Sequence, residues 1–179
     1  AQGVALHAYG LCDDRFELLA SADRGEALSR LMQAVARRHA AAFNRRHGRR
    51  GSLWEGRFRA AVVEPGEWTL RCMVRIDLAA GMDPRRGSLA AHVGHAPDPR
   101  LAAPAAYWAL GNTPFDREMR YRELLQHALT LDEQEAIEAA LRGGWVLGSA
   151  AFAKALAGQS PRPTLPRPRG RPRRLLAPD

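Results

Sequence analysis

The chain has 179 residues, 46% hydrophobic and 26% charged, and carries 27 lysines and arginines against 19 acids for a formal net charge of +8. That length supports one sizeable core, or a small domain with an appendage, and the composition is that of an ordinary globular protein. No apolar run approaches membrane-spanning length and no signal peptide is visible, which sets aside a spanning protein and makes a cytoplasmic one the expectation.

The sequence pI is about 10.8. Arginine carries nearly all of the positive charge, Lys154 being the single lysine. A GC-rich genome produces such an excess as readily as selection for the guanidinium fork does. A clustered excess, however, favours a polyanionic partner, and nucleic acid is the usual one. Cys12 and Cys72 have no motif spacing and read as reduced, buried thiols rather than a disulfide. The chain begins at Ala1, straight into a strand-like pattern, so a preceding element is expected to be missing.

In chain order, Val4–Leu11 and Arg15–Ala20 read as two strands of a hairpin with acidic turn residues. From Glu26 to Phe43 the apolar positions Leu28, Leu31, Met32, Val35, Ala42 and Phe43 follow helical spacing. Arg30, Arg37 and Arg38 fall between them and give this helix a basic outer side, with Gly48 and Gly51 as stop signals. Gly56–Glu64 is a third strand candidate that would place Arg57 and Arg59 on one face. A second helix follows to Gly81, with Trp68, Cys72 and Ile76 one turn apart and Arg71 and Arg75 four apart on one side. Residues 83–102 are rich in Pro and Gly, lack periodicity, and read as an irregular linker. Beyond it, Thr113 with Pro114, Thr130 with Glu133, and Ser149 signal the starts of short helices. Residues 159–179 are rich in arginine and proline and are expected to be a disordered basic tail. The expected fold is α+β: an α+β domain over residues 1–82, the linker, a small helical region over 103–158, and the tail.

The chemistry concentrates in "NRRHGRRGSLWEGRFRA", Asn44 to Ala60. Arg45, Arg46, Arg49, Arg50, Arg57 and Arg59 supply guanidinium forks that pair with phosphate, and His47 sits among them. Trp54 and Phe58 interleave the charges and offer flat surfaces for unstacked bases. In the tail, "PRGRPRR" places Arg169, Arg171, Arg173 and Arg174 on an extended backbone that resembles an AT-hook, a minor-groove ligand. His39 reads as packing on the apolar side of its helix, while His92, His95 and His127 lack ligand spacing.

Three stretches, "LHAYGL…DRFELL", "GEALSRLMQAVARRHAAAFNRRHGRRGSLWEGRFRAAVVE" and "LRCMVRIDL", resemble the REP-associated tyrosine transposases, a bacterial family similar to single-strand DNA transposases of the HUH type. "YWALGNTPFDREMRYREL", "RGGWVLGSAAF" and the terminal "RGRPRR" resemble the C-terminal part of the same family. The resemblance covers nearly the whole chain and breaks only around Met82–His95. It implies a ferredoxin-like antiparallel sheet backed by helices, here without its first strand and helix. It also implies DNA transposition: cleavage and rejoining of single-stranded DNA beside hairpins by a tyrosine nucleophile, with a divalent metal such as magnesium held by a His-x-His pair and a third polar ligand.

The family's sites do not carry over. Where the family strand reads like "DNHFHLL", this chain has Arg15 and Glu17 at the two histidine positions. Where the family helix reads like "CMRYIELNP", it has Arg75 at the tyrosine and Ala79 at the asparagine. Arginine offers no nucleophilic oxygen and repels a metal. The expectation is therefore a transposase-like binder of single-stranded or hairpin DNA, nucleoid-associated, with no intact catalytic site and no metal cofactor. Alternatives stay open: an active enzyme in which Asp13, Asp14, Glu17 and His7 build an oxygen-rich magnesium site, a decayed copy, or an RNA-binding module. Tyr9 reads as a packing residue rather than a substitute nucleophile.

Overall fold

The computed structural model describes residues 3–160 and 163–166. The tail arginines Arg169, Arg171, Arg173 and Arg174, with their AT-hook-like motif, lie outside the described residues.

Strands β1 (Val4–Leu11) and β2 (Phe16–Ala22) form an antiparallel hairpin, as their alternation and the intervening "CDD" predict. Ala8 pairs with Leu19, Tyr9 with Leu18, Gly10 with Glu17 and Leu11 with Phe16, after a register shift between Leu6 and Ala8. Side chains alternate across a sheet. Ala8, Gly10, Glu17 and Leu19 therefore share one face, and Tyr9, Leu11, Phe16 and Leu18 the other.

Helix α1 (Gly25–Arg46) is alanine-rich, with Glu26 in its first turn and Arg45 and Arg46 in its last, each complementing the helix dipole. It ends at His47, and Gly48 beyond it takes a left-handed φ of 62° that favours glycine. Helix α2 (Glu67–Ala80) crosses the opposite face, burying Cys72, Met73, Val74, Ile76 and Asp77. It lies close because Gly10 has no side chain: a Cβ there would stand 3.0 Å from the Ile76 carbonyl oxygen.

The expected strand Gly56–Glu64 shrinks to β3 (Val62–Val63), which pairs in parallel with β4 (Val146–Leu147). Residues 57 and 59 are not in a strand, so the single arginine face expected of them does not form. The segment expected as a linker is built into the core. It carries α3 (Leu89–His92), buries Ser88, Leu89, Ala90 and Val93, and binds the outer edge of β1: Ser88 N–H donates to the Tyr9 carbonyl (3.0 Å) and Ala102 N–H to the Leu6 carbonyl (2.8 Å). Its burial is made by single residues around one polar cluster, which leaves no periodicity to read.

Helices α4 (Ala105–Trp108), α5 (Pro114–His127), α6 (Leu131–Gly143) and α7 (Ala150–Ala157) complete the described residues, a total of seven helices among them. Thr113 with Asp116 and Thr130 with Glu133 close capping boxes, and Ser149 accepts from the Phe152 N–H, as the start signals predict. One buried cluster runs from Ala8 through Met73 to Tyr121, Ile137 and Leu147, so the core spans the hairpin and the later helices alike. Part of the segment expected as a disordered tail is also placed: Thr164 is buried and its carbonyl accepts from the Val146 N–H (3.0 Å). A backbone bond beside β4 outweighs the local proline content there. No helix among the described residues is long and apolar enough to cross a membrane.

Candidate nucleic-acid interface

The loop after α1 folds back along the helix. The Asn44 side-chain amide donates to the Gly51 carbonyl (2.9 Å), and Trp54 Nε1–H donates to the Ala36 carbonyl (3.2 Å). Trp54 wedges between the helix and the hairpin, its ring centroid 5.5 Å from His39 and 5.5 Å, edge-on, from Phe16. Along α1, His39, Phe43 and His47 recur every four residues. The His47 ring lies 4.3 Å from Phe43, and the Arg49 guanidinium lies 5.8 Å above the same Phe43 ring. The expected aromatic platform is thus divided. Trp54 is half-buried and committed to holding the loop, whereas Phe58 is 44% exposed. His39, expected to pack, touches the Trp54 and Phe43 rings but stays exposed.

Between Glu26 and Glu64 the only acid is Glu55. Arg37, Arg38, Arg45, Arg46, Arg49, Arg50, Arg57 and Arg59 are all exposed. Among the described residues none of these eight has a carboxylate partner. Elsewhere Arg30 pairs with Glu26, Arg71 with Glu67 and Glu133, Arg85 with Asp83, Arg86 with Asp13 and Arg100 with Asp98. Arg117 and Arg122 bind the Gly111 and Val93 carbonyls, and Arg24, Arg120 and Arg142 are scattered without a carboxylate partner among the described residues. The helix end and its loop therefore present a patch of uncompensated, solvated guanidinium groups, the electrostatic condition for binding a polyanion.

On the other face of the sheet, Arg15, Glu17 and Arg75, the positions at which the sequence resemblance led metal ligands and a nucleophile to be expected, form a salt-bridge cluster. Glu17 accepts from Arg75 Nη1 (2.5 Å) and from Arg15 Nε (2.9 Å), and the second Arg75 nitrogen binds Glu138 of α6. Arg75 and Glu17 are largely sheltered, with side chains 18% and 14% exposed. Ala79 contributes no polar side chain. The other residues considered as substitute ligands are each engaged apart: Asp13 with Arg86, Asp14 with Arg15 (3.1 Å), and His7 with the Ala102 carbonyl (2.6 Å) and the Ser21 hydroxyl (3.0 Å). Two guanidinium groups against Glu17 do not fit a divalent cation. Among the described residues no group of three His, Cys, Asp or Glu side chains is placed to hold one.

Two polar clusters escaped the sequence reading. Asp77 is fully buried and accepts from Ser88 Oγ (2.5 Å), Tyr121 Oη (2.7 Å) and His92 Nδ1 (2.6 Å). His92 Nε2–H then donates to the His7 carbonyl (3.0 Å). Burial, reinforced by the Asp77 charge, pushes the Tyr121 hydroxyl well above its ordinary pKa. The one local signal was Asp77 itself, one turn beyond Met73 on a buried stripe. The second cluster joins Tyr9, Asp98 and Arg100. The Tyr9 hydroxyl donates to Asp98 (3.0 Å) and accepts from Arg100 Nη2 (2.5 Å). Burial and the Asp98 carboxylate raise the Tyr9 pKa, and the Arg100 guanidinium holds Asp98 down to about 2. A tyrosine so held is a poor nucleophile, in keeping with the packing role read for it.

No family model, no curated protein and no solved structure matches this chain.

Proposed function

We propose that this protein binds single-stranded or hairpin DNA through the C-terminal end of α1 and the loop behind it, as a transposase-like protein without strand-transfer chemistry. The observation that carries the reading is the concentration of eight exposed arginines between Arg37 and Arg59 with no carboxylate partner among the described residues, in a stretch whose single acid is Glu55. An unpaired guanidinium group binds phosphate without first giving up an internal ion pair. Phe58 adds an open ring on which a base can stack.

The family reading, the REP-associated tyrosine transposases with their ferredoxin-like sheet, rests on the sequence resemblance and is part of the same proposal. The loss of chemistry is argued from the residues present. Arg75 has no oxygen with which to attack a phosphodiester, and Glu17 is ion-paired by two guanidinium groups whose positive charge repels a metal. Fluorescence anisotropy with a labelled DNA hairpin and an unstructured strand of equal length tests the binding reading. Saturable binding at low salt, tighter for the hairpin, is the expected result. No binding to either strand by folded protein would overturn it.

A further inference from the structure

A half-open cavity of about 280 Å³ lies beside the outer edge of β1, lined by Pro84, Gly87, Ala91, Ala96, Pro97 and Pro99, with Asp98 and Arg100 as its charged members. Arg100 is fixed in place. Its Nε–H and Nη2 donate to Asp98 (2.8 and 2.7 Å), Nη2 also reaches the Tyr9 hydroxyl, and its guanidinium carbon lies 4.9 Å from the centroid of the Tyr9 ring. Asp98 is saturated: it accepts from the Arg100 backbone N–H (3.0 Å), twice from the Arg100 side chain, and from Tyr9. It positions Arg100 and has no acceptor site left for a ligand. Arg100 Nη1, by contrast, has no partner among the described residues, and its two N–H donors remain available.

The place of this cavity in the fold ties it to the arginine patch. Tyr9 pairs with Leu18 and shares a face of the sheet with Phe16, against which Trp54 packs. Tyr9 and Phe16 are diagonal neighbours on that face, about 7–8 Å apart. Arg100, over the Tyr9 ring, and Trp54, against Phe16, therefore lie on the same face of the hairpin. The walls are apolar and the donors few, which suits an uncharged planar group with an acceptor on its edge better than a phosphate. The volume falls just below the range usual for drug-sized ligands, about 300–1,000 Å³, and so suits one ring system.

We propose that this cavity holds a single unstacked nucleobase bearing a carbonyl on its edge, such as guanine, taken from the DNA strand that the α1 arginines bind; the inference rests on that reading. Guanine O6 would accept from Arg100 Nη1–H, while the proline and alanine walls cover the ring faces.

The test uses the full chain and three fluorescent oligo-dA strands that differ only at the central position: dG, dA or an abasic site. Anisotropy at one salt concentration is expected to show the dG strand binding about tenfold tighter than the abasic strand, with dA between them. Ala96→Leu fills the cavity without changing charge and is expected to remove the dG advantage while leaving affinity for the abasic strand unchanged. Arg100→Gln, at an exposed side chain, is expected to reduce dG to the level of dA, with thermal melts showing both variants folded. Equal binding of all three strands by the wild-type protein would overturn the cavity assignment and leave the arginine reading standing. So would a dG preference that survives both substitutions. Failure to bind any of the strands would overturn both readings.

Discussion

Replacing Asp77 probes the cluster that joins α2, α3, α5 and the edge of β1, and with it the scaffold that sets Tyr9 and Arg100. The carboxylate is 0% exposed and takes three side-chain donors. In Asp77→Ala, Ser88 keeps an alternative acceptor, since its hydroxyl lies 3.2 Å from the Tyr9 carbonyl. Tyr121 and His92 Nδ1 lose theirs. A buried donor left unsatisfied costs about 1–3 kcal/mol, so the substitution should cost about 4 kcal/mol. That is a large share of the roughly 5–15 kcal/mol by which a domain is stable. Tyr121→Phe removes a donor and leaves the carboxylate with two others, so it should cost about 1 kcal/mol. In the double variant no tyrosine hydroxyl is orphaned, and the combined cost should fall short of the sum by about 1 kcal/mol or more. Urea unfolding followed by tryptophan fluorescence measures all three, with m-values compared to verify that the same surface unfolds. An Asp77→Ala cost below about 1 kcal/mol, or strict additivity in the double variant, would refute the reasoning.

Three other substitutions separate packing, binding and chemistry. Trp54→Ala should destabilise the fold by about 2 kcal/mol, less than a fully buried aromatic costs. Phe58→Ala should leave the melting temperature unchanged and weaken strand binding about tenfold; the reverse pattern would show the two rings misassigned. Arg75→Tyr restores a hydroxyl but not the histidine pair. Incubated with hairpin DNA and magnesium, it should give no covalent protein–DNA adduct on a denaturing gel. Asp98 titrates near 2 in the folded protein, below its ordinary 3.8. Its stabilising contribution is therefore complete above about pH 4 and is lost as pH falls towards 2. Thermal melts across that window should show a smaller drop for Asp98→Asn than for the wild type.

Local physics made much of the fold legible. The hairpin is visible in the alternation of Val4–Leu11 and its acidic turn, α2 in the spacing of Trp68, Cys72 and Ile76, and the later helices in Thr113, Thr130 and Ser149, each of which caps as read. The failures share one cause, which is distance along the chain. Val62–Val63 is a strand only because Val146–Leu147 lies beside it, and nothing near Gly56 announces that partner. Ser88 and His92 are buried because Asp77, on another element, accepts from both. Trp54 looked like an open surface for bases because its indole partner, the Ala36 carbonyl, is eighteen residues earlier. The arginine patch was readable as a count; that its members lack acid partners while Arg15 and Arg75 share Glu17 required the fold.

The central claim is that unpaired arginines on α1 and its loop hold a single strand, and the salt dependence of affinity addresses it most directly. Each phosphate neutralised on a single strand contributes about −0.7 to the slope of log K against log salt. If half of the eight exposed arginines make such contacts, the wild-type slope is about −3. Exchanging Arg45 and Arg46 for glutamine together should reduce its magnitude by about 1.4, with the melting temperature unchanged. Binding that does not vary with salt, or a slope that stays the same without Arg45 and Arg46, would contradict the account.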